Sequence, residues 1–317
     1  STQHTNVERY SPLFDNMLVG RDTEILSTNS AYWSSINNNG EAIGTDYNDN
    51  SIIYRDSYGN VTNLGYLGIP SATAVTCTGL NDLGIIIGDY FNYYISDWAS
   101  FYKLPNEDAI TIPLTYVSSV NNNGVAVGYD SSNNLCTYDP INGVTNLGKF
   151  GYTAVFGGSI NDNGDICGQV DDGGTNKWFI RLSNDPDNLI VDTSGDYPSQ
   201  LNDINNNGDV AGSCTVSGDS IPMLRKSDGT IVKIDIPTKF VGDSGCQFYD
   251  INNNGDAVGY FTNSAWDSSI GFIRLSDGTI IYLDQLNNVV IPYSINDSRE
   301  IVGETTNSDW SEEYALY

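Results

Sequence analysis

Short apolar runs separated by polar, glycine-rich punctuation dominate the chain. One cycle reads "AYWSSI", "NNNG", "EAIG", a variable polar stretch, then "SIIYR", "DSYGN" and "VTNLG". Runs of four to eight β-branched or alternating residues, bounded by Asn, Asp and Gly, predict strands. No segment carries the 3.6-residue period of a helix. The "NNNG" and "SDG" stretches are hairpin signals, because Gly and Asn accept positive φ more readily than other residues.

The cycle repeats. The apolar residue before the first Asn recurs at Ile36, Leu80, Val120, Ile160, Ile204, Ile251 and Ile295, at spacings of 44, 40, 40, 44, 47 and 44 residues. Four antiparallel strands at such a period read as a β-propeller blade. A parallel β-helix needs shorter repeats, and a sandwich does not repeat. The expectation is all-β: a seven-bladed propeller of four-stranded antiparallel blades, its ring closed by an N-terminal strand. The last copy stops at "EEYALY" without an outermost strand, and "DTEILST" lies where it could supply one. Closure by Asp22–Leu26 hides an exposed edge; two strands within Met17–Leu26 are the alternative. Residues 1–21 then form an N-terminal extension and 22–317 a single propeller domain.

The first Asn of the turn occurs in all seven copies (Asn37, Asn81, Asn121, Asn161, Asn205, Asn252, Asn296), where its side chain can close the turn on its own backbone. Gly follows in six copies, and Arg299 stands in the seventh. A calcium loop needs several carboxylates at close spacing, which this phrase lacks; it reads as a joint. The Gly ending each second run, from Gly44 to Gly303, marks close backbone approach near the axis.

Composition narrows the function. Forty acidic residues against 13 basic ones give a formal charge of −27, which repels nucleic acid and anionic membrane. No apolar run reaches the length of a membrane span. The five cysteines have neither a disulfide-framework nor a zinc spacing and read as small buried residues. The single histidine, His4, leaves no Ser-His-Asp or Cys-His chemistry and no His-based metal site. No resident metal or cofactor is expected; calcium in the axial channel stays open.

The fragments "NVTNLGYLG", "GVTNLGKFG" and "SINDNGDICG" resemble the HAF repeat, a family of predicted extracellular bacterial propeller repeats. The resemblance spans about Asp22 to Tyr317. It departs where a His-Ala-Phe would open the third strand; "ASFY", "KWFI" and "IGFI" stand there instead. The resemblance implies a secreted or cell-surface propeller and transfers no catalytic residues.

The loops between second and third strands vary most, as binding loops on a scaffold do. Trp98, Trp266 and Trp310 fall in or just after them, with Tyr47, Tyr90, Tyr129, Asp46, Asp89 and Asp130 in comparable positions. Aromatic rings beside carboxylates suit neutral carbohydrate, so non-catalytic, lectin-like binding by a monomer is the leading expectation. Trp178, inside "KWFIRL", reads as packing. A glycoside hydrolase needs only two carboxylates, and Asp46, Asp89, Asp130, Asp171 and Glu304 all follow the inner glycine. A lyase with a Tyr base and an Arg is a second enzyme reading, although Arg55, Arg181, Arg225 and Arg274 map to third strands near the rim. A protein-interaction scaffold with a basic partner is the third class.

Overall fold

The computed structural model describes residues 24–27, 31–191, 197–237, 245–262, 269–283, 289–306 and 312–316, with side chains over 32–191, 200–237, 245–262, 269–283 and 291–304. Twenty-eight strands and no helix appear among the described residues. They pair into separate four-stranded antiparallel sheets in sequential order. In blade 1 the order is Ala31–Ile36, Ala42–Asp46, Ser51–Arg55 and Val61–Gly65. Blades 2 to 6 occupy 72–112, 116–148, 154–191, 197–233 and 247–282. The last sheet takes three strands from 289–316 and its outermost strand from Glu24–Ser27, which pairs with Glu312–Leu316. The closing strand therefore starts and ends later than the expected Asp22–Leu26, and Met17–Thr23 lie outside the described residues.

Hydrogen bonds link the seven sheets into a ring. The Nδ2 of Asn37 donates to the Asn81 carbonyl of the next blade, and the same link runs through Asn121, Asn161, Asn205, Asn252 and Asn296. Asn296 returns to the Asn37 carbonyl at 3.0 Å and closes the ring. A second ring lies beside it. The amide of each following residue donates to the side-chain oxygen of its counterpart one blade on, from Asn38 through Asp82, Asn122, Asp162, Asn206, Asn253 and Asp297 back to Asn38. The turn also closes locally, since Asn205 Oδ1 accepts from the amides of Asn207 and Asp209. The Asn turn is thus a joint twice over: within a hairpin and between blades.

Apolar packing follows the same geometry. The largest buried clusters sit between neighbouring sheets, for example Ile43 and Ile52 of blade 1 against Val75 and Phe101 of blade 2. Trp33, Ile36 and Ile53 of blade 1 meet Val302 of blade 7, so the core continues across the closure. All five cysteines are buried. Arg55 and Arg274 end third strands, as expected, and are buried there; Arg55 donates to the Gly40 carbonyl of the inner hairpin.

One recurrent feature escapes the pattern of apolar positions. Every innermost strand shifts register at the residue two before its anchor: Ser34, Thr78, Ser118, Gly158, Asn202, Tyr249 and Tyr293. Such a bulge kinks the strand and re-aims the side chain. It also explains the seven closing glycines. A Cβ at Gly128 or Gly168 would fall far inside contact with the carbonyl oxygen of Tyr116 or Phe156 on its own hairpin partner. The close approach is to the bulged neighbour strand, not to other blades at the axis.

Candidate functional site

An axial channel runs between the seven inner strands, and its two ends differ. At the turn end a polar cavity of about 190 Å³ is lined by the Asn rings and by Ser35, Ser119, Ser159, Asp203, Asp250 and Ser294. These last side chains satisfy inner-edge amides. Ser35 Oγ accepts from Leu80, Asp203 from Ile251 and Asp250 from Ile295. Burial, with Asp203 beside it, pushes the Asp250 carboxyl well above the ordinary carboxylate range. Among the described residues no three His, Cys, Asp or Glu side chains converge as a metal site.

The opposite mouth is aromatic. Tyr32, Tyr116, Tyr249 and Tyr293 lie on innermost strands of blades 1, 3, 6 and 7. The bulges at Tyr249 and Tyr293 bring these rings together, with centroids 5.0 Å apart. Tyr32 packs on Tyr293 at 4.8 Å, and Tyr260 stacks on Tyr249 at 5.3 Å. Across the mouth, Tyr129 stacks on Tyr116 at 5.7 Å and meets Phe156 edge-on. Burial raises the Tyr32 hydroxyl far above the usual phenol range, and nearby Tyr249, Tyr47, Glu304 and Tyr116 add to it. Contributors from blades 1, 3, 6 and 7 mean that these groups converge on the axis. Burial likewise raises Tyr116, Tyr129, Tyr249, Tyr260 and Tyr293. The mouth is lined by protonated phenols.

Two carboxyl groups share this end. Tyr293 donates its hydroxyl to Glu304 Oε2 at 2.9 Å. Asp89 is 7% exposed and accepts a 2.6 Å hydrogen bond from Ser100 Oγ. Burial raises its carboxyl to about 6, against the opposing effect of Ser100 and the Val117 amide. Tyr116 and Tyr129 both feel its charge.

Strand parity sorts the sequence candidates. Asp89 and Glu304 follow the inner glycine directly, as do Tyr129 and Tyr260, and share one face of their strands. Asp46 and Asp130 stand two residues after it and serve their own turns. Asp46 Oδ1 accepts from the Asn48 amide, and Asp130 accepts from Ser132 and Asn134. Hydrogen bonds of this kind hold the Asp130 carboxyl below its ordinary value in spite of the opposing cost of burial. Asp171 accepts from Gly174 in an exposed loop. Tyr90, one position past Asp89, is 1% exposed in the core and bonds Thr111; it cannot meet a ligand. Tyr47 is half-exposed beside Tyr32. Trp98 is 49% exposed with its ring edge-on to Phe91. Trp178 is buried in the packing between blades 4 and 5, as its strand position implies. Trp266 and Trp310 lie outside the described residues. Sequence reasoning missed Tyr32, Tyr116, Tyr249 and Tyr293; the signal was a Tyr two or four residues before the anchor in four of the seven copies.

No family model matches the chain, and no curated protein matches it. Solved structures do. The β-propeller domain of the Trilobed protease from Pyrococcus furiosus superposes with a TM-score of 0.62 at 12% identity, over 90% of this chain and 93% of that one. Virginiamycin B lyase from Staphylococcus aureus gives 0.59 at 11%, over 92% and 95%. An ancestral GH74 enzyme gives 0.58 at 10%, over 91% of this chain and 48% of that one. At these identities the likeness is one of fold: an all-β propeller of four-stranded antiparallel blades. No helix among the described residues is long and apolar enough to cross a membrane.

Proposed function

We propose that the protein is a hydrolase acting on neutral polysaccharide at the tyrosine-lined mouth, with Asp89 as general acid and Glu304 as the second carboxylate. One observation carries the reading. Of the five carboxylates that follow the inner glycines, only these two stand directly after it on the face that holds the mouth tyrosines, and burial has raised one of them to about 6. A glycosidase needs a carboxylic acid that stays protonated to donate to the leaving oxygen, and a second carboxylate for the other side of the bond. The phenols supply flat faces for sugar rings. A charge of −27 disfavours anionic polymers.

The chemistry of the mouth argues against the other readings. A lyase with a tyrosine base needs a lowered phenol, whereas every phenol shift resolved here is upward. A non-catalytic lectin has no use for a carboxyl raised by burial. The similarity of the fold to a lyase and to a GH74 enzyme also favours catalysis.

The test is reducing-sugar release from a panel of neutral polysaccharides by the wild-type protein, Asp89→Asn and Glu304→Gln. The wild type should release product from a related set. Each variant should lose about 10²–10⁴-fold in rate, the usual worth of a positioned acid or base. Equal rates in all three proteins, or release from none of the panel, would overturn the reading.

A further inference from the structure

A second cavity opens beside the mouth, between blades 2 and 3. It has a volume of about 270 Å³ and is lined by Thr76, Thr78, Asp89, Trp98, Thr115 and Tyr116. We propose that this pocket is a sugar subsite, which holds one uncharged six-membered ring against the Trp98 indole with its hydroxyls on Thr76 and Thr115. Its role in turnover rests on the hydrolase reading above; its binding does not.

Several independent features point to that occupant. Pockets for drug-sized ligands are roughly 300–1,000 Å³, so this one suits a single ring. Trp98 is half-exposed, and its ring stands at 75° to that of Phe91 with centroids 5.9 Å apart. An indole supported in that way offers a flat apolar face, the surface that an axial-hydrogen sugar face fits. The lining is mainly apolar, and three of its six residues are threonines. Thr78 already donates to the Val117 carbonyl, whereas Thr76, on its strand, and Thr115, in the bend before Tyr116, are exposed and line the cavity. The one ionisable carboxyl is buried and bonded by Ser100. No Lys or Arg lines the pocket, so an anion would find no partner there. Because Asp89 belongs to both pocket and mouth, a ring seated here lies directly beside the proposed acid. That is the place for the sugar on one side of the scissile bond.

The experiment is isothermal titration calorimetry of the full chain with the methyl glycosides of glucose, galactose, mannose and xylose, run beside polysaccharide hydrolysis. The variants are Trp98→Ala, Thr115→Tyr, which fills the cavity from an exposed position, and Glu304→Gln, which lies outside the pocket. At least one glycoside should bind to wild type and Glu304→Gln alike, with affinity reduced tenfold or more in Trp98→Ala and Thr115→Tyr. Those two variants should also raise KM more than they lower kcat. Circular dichroism confirms that each variant is folded. Glycoside binding indifferent to both pocket variants overturns the subsite, as does polysaccharide cleavage without any glycoside binding. Pocket-dependent glycoside binding with no polysaccharide cleaved supports the subsite and sinks the hydrolase reading instead.

Discussion

The two ends of the axial channel are built from the same seven strands and behave as opposites. At the turn end each blade presents the same few atoms: an Asn side-chain amide to the next carbonyl, a backbone amide to the next side-chain oxygen. At the mouth, positions that match in the repeat hold different residues. The residue after the inner glycine is Thr45, Asp89, Tyr129, Gln169, Ser213, Tyr260 or Glu304. Uniformity serves closure, because a ring is only as strong as its weakest junction. Variation serves chemistry, because a substrate needs different groups on its different sides. The difference teaches where to look in a repeat protein: at positions where the register is kept and the residue is not.

The comparison breaks hardest at the glycines. Gly168→Val should place side-chain atoms inside the Phe156 carbonyl and abolish folding or cost more than about 3 kcal/mol. Tyr249→Phe, at the mouth, should leave the melting temperature nearly unchanged. Thermal unfolding of the two variants side by side checks the contrast. Next in size is Asn205→Ala. It removes the donor to the Asn252 carbonyl and the acceptor for two amides. At about 1 kcal/mol for each hydrogen bond, and more where a buried amide is left unpaired, the loss should be about 3 kcal/mol in urea unfolding. Activity per folded molecule should stay at the wild-type level.

A smaller effect separates the ends by pH. The folded Asp89 carboxyl lies near 6, above its ordinary 3.8. The folded state therefore binds its proton more tightly than the unfolded chain does. Stability from this group is complete below about pH 4 and is lost as pH rises to about 6. Wild type should lose stability relative to Asp89→Asn between pH 4 and pH 6, by on the order of 2 kcal/mol. Equal slopes for the two proteins over that window would contradict the assignment. A smaller effect on stability than that of Asp89 is expected for Tyr293→Phe. Loss of the bond to Glu304 should change stability by less than about 1.5 kcal/mol and slow turnover roughly tenfold, as one lost charge-assisted hydrogen bond does.

Much of the fold was legible because the repeat carries it. The spacing of Ile36, Leu80 and their counterparts gives the blade, and the Asn-Gly turn gives the hairpin. The φ of +65° at Arg299, where six blades have Gly, marks the same turn held by a residue that resists it; its guanidinium bonds Asp256, which is fully buried. What the turn does between blades was not legible, since Asn37 and Asn81 are 44 residues apart and their contact is tertiary. The site was half legible. Asp89, Tyr129 and Glu304 were recognisable as residues past the inner glycine. Asp46, Tyr90 and Asp130 were grouped with them although they lie one residue further, and in a strand one residue reverses the face. The mouth tyrosines were invisible for a different reason. A bulge adds a residue without changing the apolar rhythm, so Tyr249 and Tyr293 read as ordinary alternation before their anchors.

The central claim is that a carboxyl raised by burial at the tyrosine-lined mouth donates a proton in catalysis. The most direct test is the pH dependence of kcat/KM on the best polysaccharide, measured from pH 4 to pH 8. The account predicts that kcat/KM falls tenfold per pH unit above about pH 6, as Asp89 ionises, and that Asp89→Asn removes that limb together with most of the rate. A rate that is flat or rising from pH 5 to pH 8, or a falling limb that survives in Asp89→Asn, would contradict it.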